Sequence, residues 1–134
     1  MAQSYVDVDY SRYPFICIKY KPIDPTVEEF DNYLNDMVDI YNNYQNFILI
    51  FDATQTKYLS GELRARQSEW IKANDSKIKA NCKGMVYILP NLMIEVLFKC
   101  IISFSPLPVK YATSRTKEGA FAEAEKMMQK VSSK

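Results

Sequence analysis

Three short apolar runs, FICIKY (15–20), NFILIFD (46–52) and GMVYILP (84–90), alternate with stretches whose apolar residues recur every three or four positions. That alternation constrains the fold more than any other feature. The continuous runs 46–52 and 84–90 read as strands covered on both faces, and 15–20 is β-branched and aromatic, as strands are. Recurrence at three and four reads as an amphipathic helix. Strands joined through helices run parallel, because the chain must return across the sheet before it adds the next strand.

The remaining elements follow the same logic. YVDVDY (5–10) alternates apolar and acidic side chains and pairs with 15–20 through SRYP, which predicts an antiparallel hairpin at the sheet edge. Val27, Phe30, Leu34, Met37, Tyr41 and Tyr44 mark a first helix that begins near Pro25 and Thr26. A single second helix is predicted over 60–81, with Leu63, Trp70, Ile71, Asn74 and Ile78 near one stripe. VKYATS (109–114) makes a last short strand, and Ala120, Phe121, Ala124, Met127, Met128 and Val131 line a terminal helix. The predicted class is α/β, one domain over 1–134 in the order β-β-α-β-α-β-α-β-α, with a mostly parallel sheet. Ligands and partners of such sheets meet the C-terminal ends of the strands, here residues 52–61, 90–92 and 114–117.

The segment 91–104, NLMIEVLFKCIISF, is too short to span a membrane, which takes roughly 20 apolar residues. Its polar residues, Asn91, Glu95, Lys99 and Ser103, fall four apart and form one narrow line on a helix, with Glu95 and Lys99 in the favourable order for an ion pair. The rest of the circumference is apolar. Deep burial is the plain reading, but one sheet face covers only part of such a helix. The surplus, including Met93, Val96, Leu97, Phe98, Ile101 and Ile102, must meet a neighbouring helix, a second subunit, a protein partner or a lipid-like ligand.

Composition removes several functions from consideration. The formal net charge of +1 gives no overall attraction to nucleic acid or anionic membrane. Charge is nevertheless uneven: Asp24, Glu28, Glu29, Asp31, Asp36 and Asp39 crowd the first helix region, and Arg64, Arg66, Lys72, Lys77, Lys79 and Lys83 the second. Solvated faces explain this, and complementary surfaces of a homodimer are the sharper alternative. Cys17, Cys82 and Cys100 are odd in number and lack Cys-x-x-Cys spacing, so reduced thiols are expected rather than disulfides or a zinc site. The chain has no His, which removes the commonest general base. MAQSYVDVDY has neither the basic nor the apolar region of a secretory signal, so a cytoplasmic location is expected.

Within 52–61, DATQTKYLSG, the carboxylate of Asp52 precedes the hydroxyls of Thr54, Thr56, Tyr58 and Ser60, with Gly61 next. Without a second clustered carboxylate or a Gly-rich phosphate loop, these residues specify no acid–base pair and no metal or cofactor, and Asp52 reads as fixing the turn. Ser60 before Gly61-Glu62 reads as a helix cap, with a phosphorylated or partner-contact serine as the alternative.

The order of elements around ILIFDATQTKYLSG resembles the SpoIIAA-like fold of anti-sigma-factor antagonists and STAS domains. RQSEWIKAN, GMVYILP, the apolar helix, PLPVKYATS and KEGAFAEAE resemble small bacterial STAS/SEC14-domain, or SpoIIAA-like, proteins, and together these stretches cover most of the chain after residue 14. In the antagonists the corresponding turn carries Asp-Ser-Ser-Gly, whose serine is phosphorylated. Here Ser60-Gly61 matches the last two letters, and Tyr58-Leu59 stands where the family has its acid and first serine. The resemblance implies a non-enzymatic regulatory or protein-interaction module, its surface formed by the 52–61 turn and the apolar helix. The alternative is a carrier of a small apolar or lipid-like ligand, with an enclosed pocket near Phe98, Ile102 and Phe104.

Overall fold

A computed structural model describes residues 4–57, 59–104 and 106–132, the side chains of Phe104, Val131 and Ser132 excepted. Its strands are β1 (Val6–Asp9), β2 (Phe15–Tyr20), β3 (Phe47–Asp52), β4 (Cys82–Ile88) and β5 (Tyr111–Ser114). Its helices are α1 (Val27–Asn43), α2 (Gly61–Ala73), α3 (Asp75–Asn81), α4 (Leu92–Phe104) and α5 (Lys117–Ser132). The strands form one sheet in chain order, β1-β2-β3-β4-β5, with β1 antiparallel to β2 and the other pairs parallel. The predicted α/β class, edge hairpin and central β3 are all present.

Side-chain alternation sorts the core into two layers. Phe47, Leu49 and Phe51 of β3 point to one face with Ile16, Ile18 and Met85, while Ile48 and Ile50 point to the other with Cys17, Val86 and Ile88. Each fully buried Ile or Leu contributes about 1.5–3 kcal/mol, and β3 has five buried residues in a row, Phe47 through Phe51. Parallel crossovers are right-handed. In a sheet whose order follows the chain, that handedness sends successive crossovers over the same face. Phe30, Tyr33, Leu34, Met37, Ile40 and Tyr41 of α1, with Leu63 and Ile78, fill that face. Helix α5 closes the other with Ala120, Phe121 and Ala124. It approaches β4 so closely that a Cβ on Gly84 would meet Met127 Sδ at 2.6 Å.

Helix α1 starts with a capping box. Thr26 Oγ1 accepts the Glu29 N–H at 3.1 Å, and Glu29 Oε1 accepts the Thr26 N–H at 2.8 Å. The predicted second helix is corrected: it divides at Asn74 into α2 and α3. Asn74 sits at φ −108°, ψ 13°, and its backbone N–H (3.0 Å) and side-chain amide (2.9 Å) both donate to the Trp70 carbonyl. A side chain that bonds back to the carbonyl four residues earlier gives that carbonyl a second donor beside the helical one, an arrangement that bends helices. The bend directs Ile78 into the core.

The acidic α1 and basic α2 are neighbours within one chain. Arg66 of α2 bridges to Asp31 of α1 at 3.0 Å, so part of the charge complementarity is used internally, and Lys77 of α3 donates from Nζ to the Asn42 side-chain oxygen at 2.8 Å. Cys17 and Cys82 are buried, Cys100 is exposed, and all are free thiols. Among the described residues no helix is long and apolar enough to cross a membrane, and no group of three or more Cys, Asp or Glu is placed to hold a metal ion.

Candidate functional site

Helix α4 does not pack as a buried helix. None of its described side chains is fully buried, which corrects the plain reading of the segment. Met93 and Leu92 are 73% and 66% exposed, and Val96, Leu97 and Ile101 are exposed as well. The helix is held at a few points. Asn91 Oδ1 caps it by accepting the Ile94 N–H at 3.0 Å. The Phe98 ring lies 4.4 Å from Tyr87 and 5.7 Å from Tyr111, centroid to centroid. The polar line is drawn toward the end of β5, where Glu95 accepts from Arg115 at 2.7 Å while also bonding Lys99 at 2.9 Å. These two cations, Lys99 foremost, hold the Glu95 carboxyl below its ordinary range.

Beneath α4 lies a cavity of about 550 Å³, open at the C-terminal ends of the parallel strands. The sheet contributes Tyr20 and Tyr87, α1 contributes Phe30 and Tyr33, and α2 contributes Arg64, Gln67, Ser68 and Ile71. Ile94, Leu97, Phe98, Ile101 and Ile102 of α4 cover it. The segment after β3, through Ala53, Thr54, Thr56 and Lys57, and the segment after β4, through Leu89, Pro90 and Asn91, form its rim. The volume falls in the range of about 300–1,000 Å³ typical of small-molecule pockets, and the lining is mostly apolar.

Beside Lys57, Arg64, Gln67 and Asn91, its lining carries several hydroxyls. Tyr20 and Tyr33 share a hydrogen bond of 2.6 Å, and Tyr5 Oη lies 3.4 Å from Thr56 Oγ1. Burial pushes the Tyr5, Tyr20, Tyr33 and Tyr87 hydroxyls above the usual phenol range, so all four are protonated at neutral pH. They act as hydrogen-bonding groups rather than as bases.

The residues singled out in the sequence separate into three sets. Thr54, Thr56, Leu97, Phe98, Ile101 and Ile102 line the cavity. Met93 and Val96 face outward on α4. Asp52, Ser60 and Gly61 stand outside the lining. Asp52 Oδ1 accepts the Thr54 backbone N–H at 3.0 Å and hydroxyl at 2.6 Å, fixing the turn. Ser60 Oγ accepts the Leu63 N–H at 3.3 Å and caps α2. Tyr58 and the Phe104 side chain lie outside the described residues. The tyrosines of the wall, with Lys57 and Arg64, were missed, since each reads locally as a strand, core or solvated position. Their common signal was ten tyrosines in one short chain.

No family model matches the chain, and no curated protein matches it. Among solved structures, it is similar to the crystal structure of an uncharacterized protein from the DUF3478 family with a SpoIIAA-like fold, from Shewanella loihica PV-4. The match has a TM-score of 0.69 and covers 92% of this chain and 95% of that one, at 12% identity. Likeness at that identity speaks for fold alone: the chain has a SpoIIAA-like α/β fold, a five-stranded sheet with β1 antiparallel to β2 and the other pairs parallel.

Proposed function

We infer that the protein binds a small apolar molecule in the cavity beneath α4, without acting on it chemically. One observation carries this reading: the roughly 550 Å³ space between α1, α2, α4 and the sheet, walled by Phe30, Tyr87, Phe98 and Ile102. Helix α4 supports it, since a cover attached at few points can move to admit a ligand. Freshly purified protein examined by native mass spectrometry and organic extraction should carry a reproducible small apolar mass. Ile102→Trp, which fills the space, should lose that mass. A bare wild-type chain that also fails to take up an apolar fluorophore would end the proposal.

A second reading, a regulatory or protein-interaction module, is favoured by one specific feature. Leu92, Met93 and Val96 add outward apolar surface to α4 that the cavity does not use. Under this reading native mass spectrometry at low and moderate salt finds a bare dimer or a protein complex, and Val96→Lys disrupts it. A monomer in both salts, with no partner retained, counts against it.

A further inference from the structure

Following the hydroxyl hydrogens of the cavity wall isolates a single donor. Each neutral hydroxyl has one hydrogen to give. Thr54 gives its hydrogen to Asp52 Oδ1 at 2.6 Å. Thr56 gives its own to the Lys57 carbonyl at 3.3 Å, so Tyr5, 3.4 Å from Thr56 Oγ1, is the donor of that pair. Tyr87 donates to Met85 Sδ at 3.6 Å, and Ser68 is engaged as well. Tyr20 and Tyr33 differ: they hold a hydrogen each but share one bond, of 2.6 Å. Whichever of them donates, the hydrogen of the other meets no acceptor among the described residues. Both residues line the cavity, and Tyr33 is buried. The charged groups of the lining make no matching demand. Lys57 lies 3.7 Å from Asp24, and Arg64 is engaged within the chain, so the wall does not call for a charged ligand.

We propose that the ligand is an uncharged molecule whose apolar body carries an accepting oxygen of the carbonyl kind, received by the Tyr20–Tyr33 pair. This rests on the binding function inferred above and adds the chemistry of the ligand. A pure hydrocarbon in the cavity would cover the pair and leave an O–H without an acceptor, which is costly. A carbonyl oxygen accepts that hydrogen. The bond is favoured further because the donating phenol is itself accepting from its neighbour, and hydrogen bonds in a chain polarise one another. A carboxylate would instead give up its water to a wall that is mostly apolar, at a much larger cost.

The test uses naphthalenes that differ in one substituent: 2-acetylnaphthalene, 2-isopropenylnaphthalene, which has a methylene in place of the carbonyl oxygen, and 2-naphthoate. Each is titrated into delipidated full-length protein and into Tyr20→Phe/Tyr33→Phe. The ratio of ketone to alkene affinity should fall about fivefold in the double variant. Alkene affinity should be kept, which also shows that the variant is folded. Infrared spectroscopy gives a reading that needs no variant: the carbonyl stretch of the ketone bound to the wild type should lie below its frequency in hexane. A stretch at the hexane frequency overturns the accepting oxygen and leaves the apolar site standing, and it decides the matter alone if the double variant binds nothing. An unchanged affinity ratio in a double variant that still binds the alkene overturns it equally. Tighter binding of naphthoate than of the ketone overturns the uncharged ligand. Failure of both neutral naphthalenes to bind the wild type overturns this inference and the binding function with it.

Discussion

The hydroxyls of Tyr20 on β2 and Tyr33 on α1 meet at 2.6 Å in the wall of the cavity, joining the sheet to its first crossover helix. Tyr33 is 3% exposed, and its ring also packs edge-on against Tyr5 and Tyr20. Removing either hydroxyl leaves the other without its partner, so Tyr20→Phe and Tyr33→Phe should each cost about 1 kcal/mol of unfolding free energy. The double variant should cost no more than one single, because the second substitution removes a buried group that the first has left unpartnered. Chemical denaturation of the four proteins measures this cycle. Additive losses would show that the two hydroxyls do not act as a pair.

Alkaline stability follows from the same residues. Burial raises the Tyr5, Tyr20, Tyr33, Tyr41 and Tyr87 hydroxyls above their ordinary values. In the unfolded chain these groups ionise near pH 10. Above that pH the unfolded state releases protons that the folded state retains, so unfolding becomes more favourable as pH rises. Stability should be flat in this respect through neutral pH and fall steeply above about pH 10. A denaturation midpoint that held constant through that range would contradict the burial of these phenols.

The sheet was legible in the sequence because burial on both faces leaves an unmistakable apolar run, as at 47–51, and because pairing order follows from the short connections. The division at Asn74 was not, since it depends on a side-chain amide reaching the Trp70 carbonyl, a geometry that three-to-four periodicity does not encode. In α4 the apolar excess was legible, but not how it divides. Phe98 and Ile102 turn inward and Met93 and Val96 outward, a division set by where α1 and α2 leave space. The cavity wall joins residues as distant as Tyr5 and Leu107, and no local pattern brings them together.

Ser60 tests whether the turn is a cap or a switch. Its side chain accepts the Leu63 N–H at 3.3 Å, and the residue is exposed. Ser60→Ala should cost about 1 kcal/mol, whereas Ser60→Asp should retain most of the stability, since Asp also caps and favours the positive helix end. Thermal unfolding of the two variants distinguishes them. If Ser60→Ala is neutral and modification of Thr54, Thr56 or Ser60 is found in cells, the residue serves as a switch rather than a cap.

Tyr41 is 2% exposed, and among the described residues its hydroxyl has no hydrogen-bond partner. A buried hydroxyl left unsatisfied costs on the order of 1–3 kcal/mol. Tyr41→Phe keeps the ring against Phe47 and Trp70 and removes only that oxygen. It should therefore stabilise the protein, by about 1 kcal/mol after allowance for the lost atom's packing. Loss of stability would instead show that the hydroxyl has a partner, such as an ordered water in the adjoining space of about 30 Å³ lined by Tyr41 and Gln67.

Glu95 should control how readily α4 lifts from the cavity. Its carboxylate ties the helix to Arg115 at 2.7 Å, beside the Lys99 bond at 2.9 Å, and otherwise the aromatic contacts of Phe98 hold the helix to the sheet. Glu95→Gln removes the charge with little change of shape. Amide hydrogen exchange should then quicken across 92–104 while β3 stays protected. The pH dependence has a definite sign. Because the folded carboxyl titrates below its ordinary value, the tie is present at and above about pH 4.3 and is lost as pH falls through the lowered folded value. Protection of α4 in the wild type, corrected for intrinsic exchange, should fall over that acid range, and the Gln variant should lack the transition. Equal protection of α4 in both proteins at neutral pH would show that Phe98 alone holds the cover, and Phe98→Ala would then be the substitution that opens it.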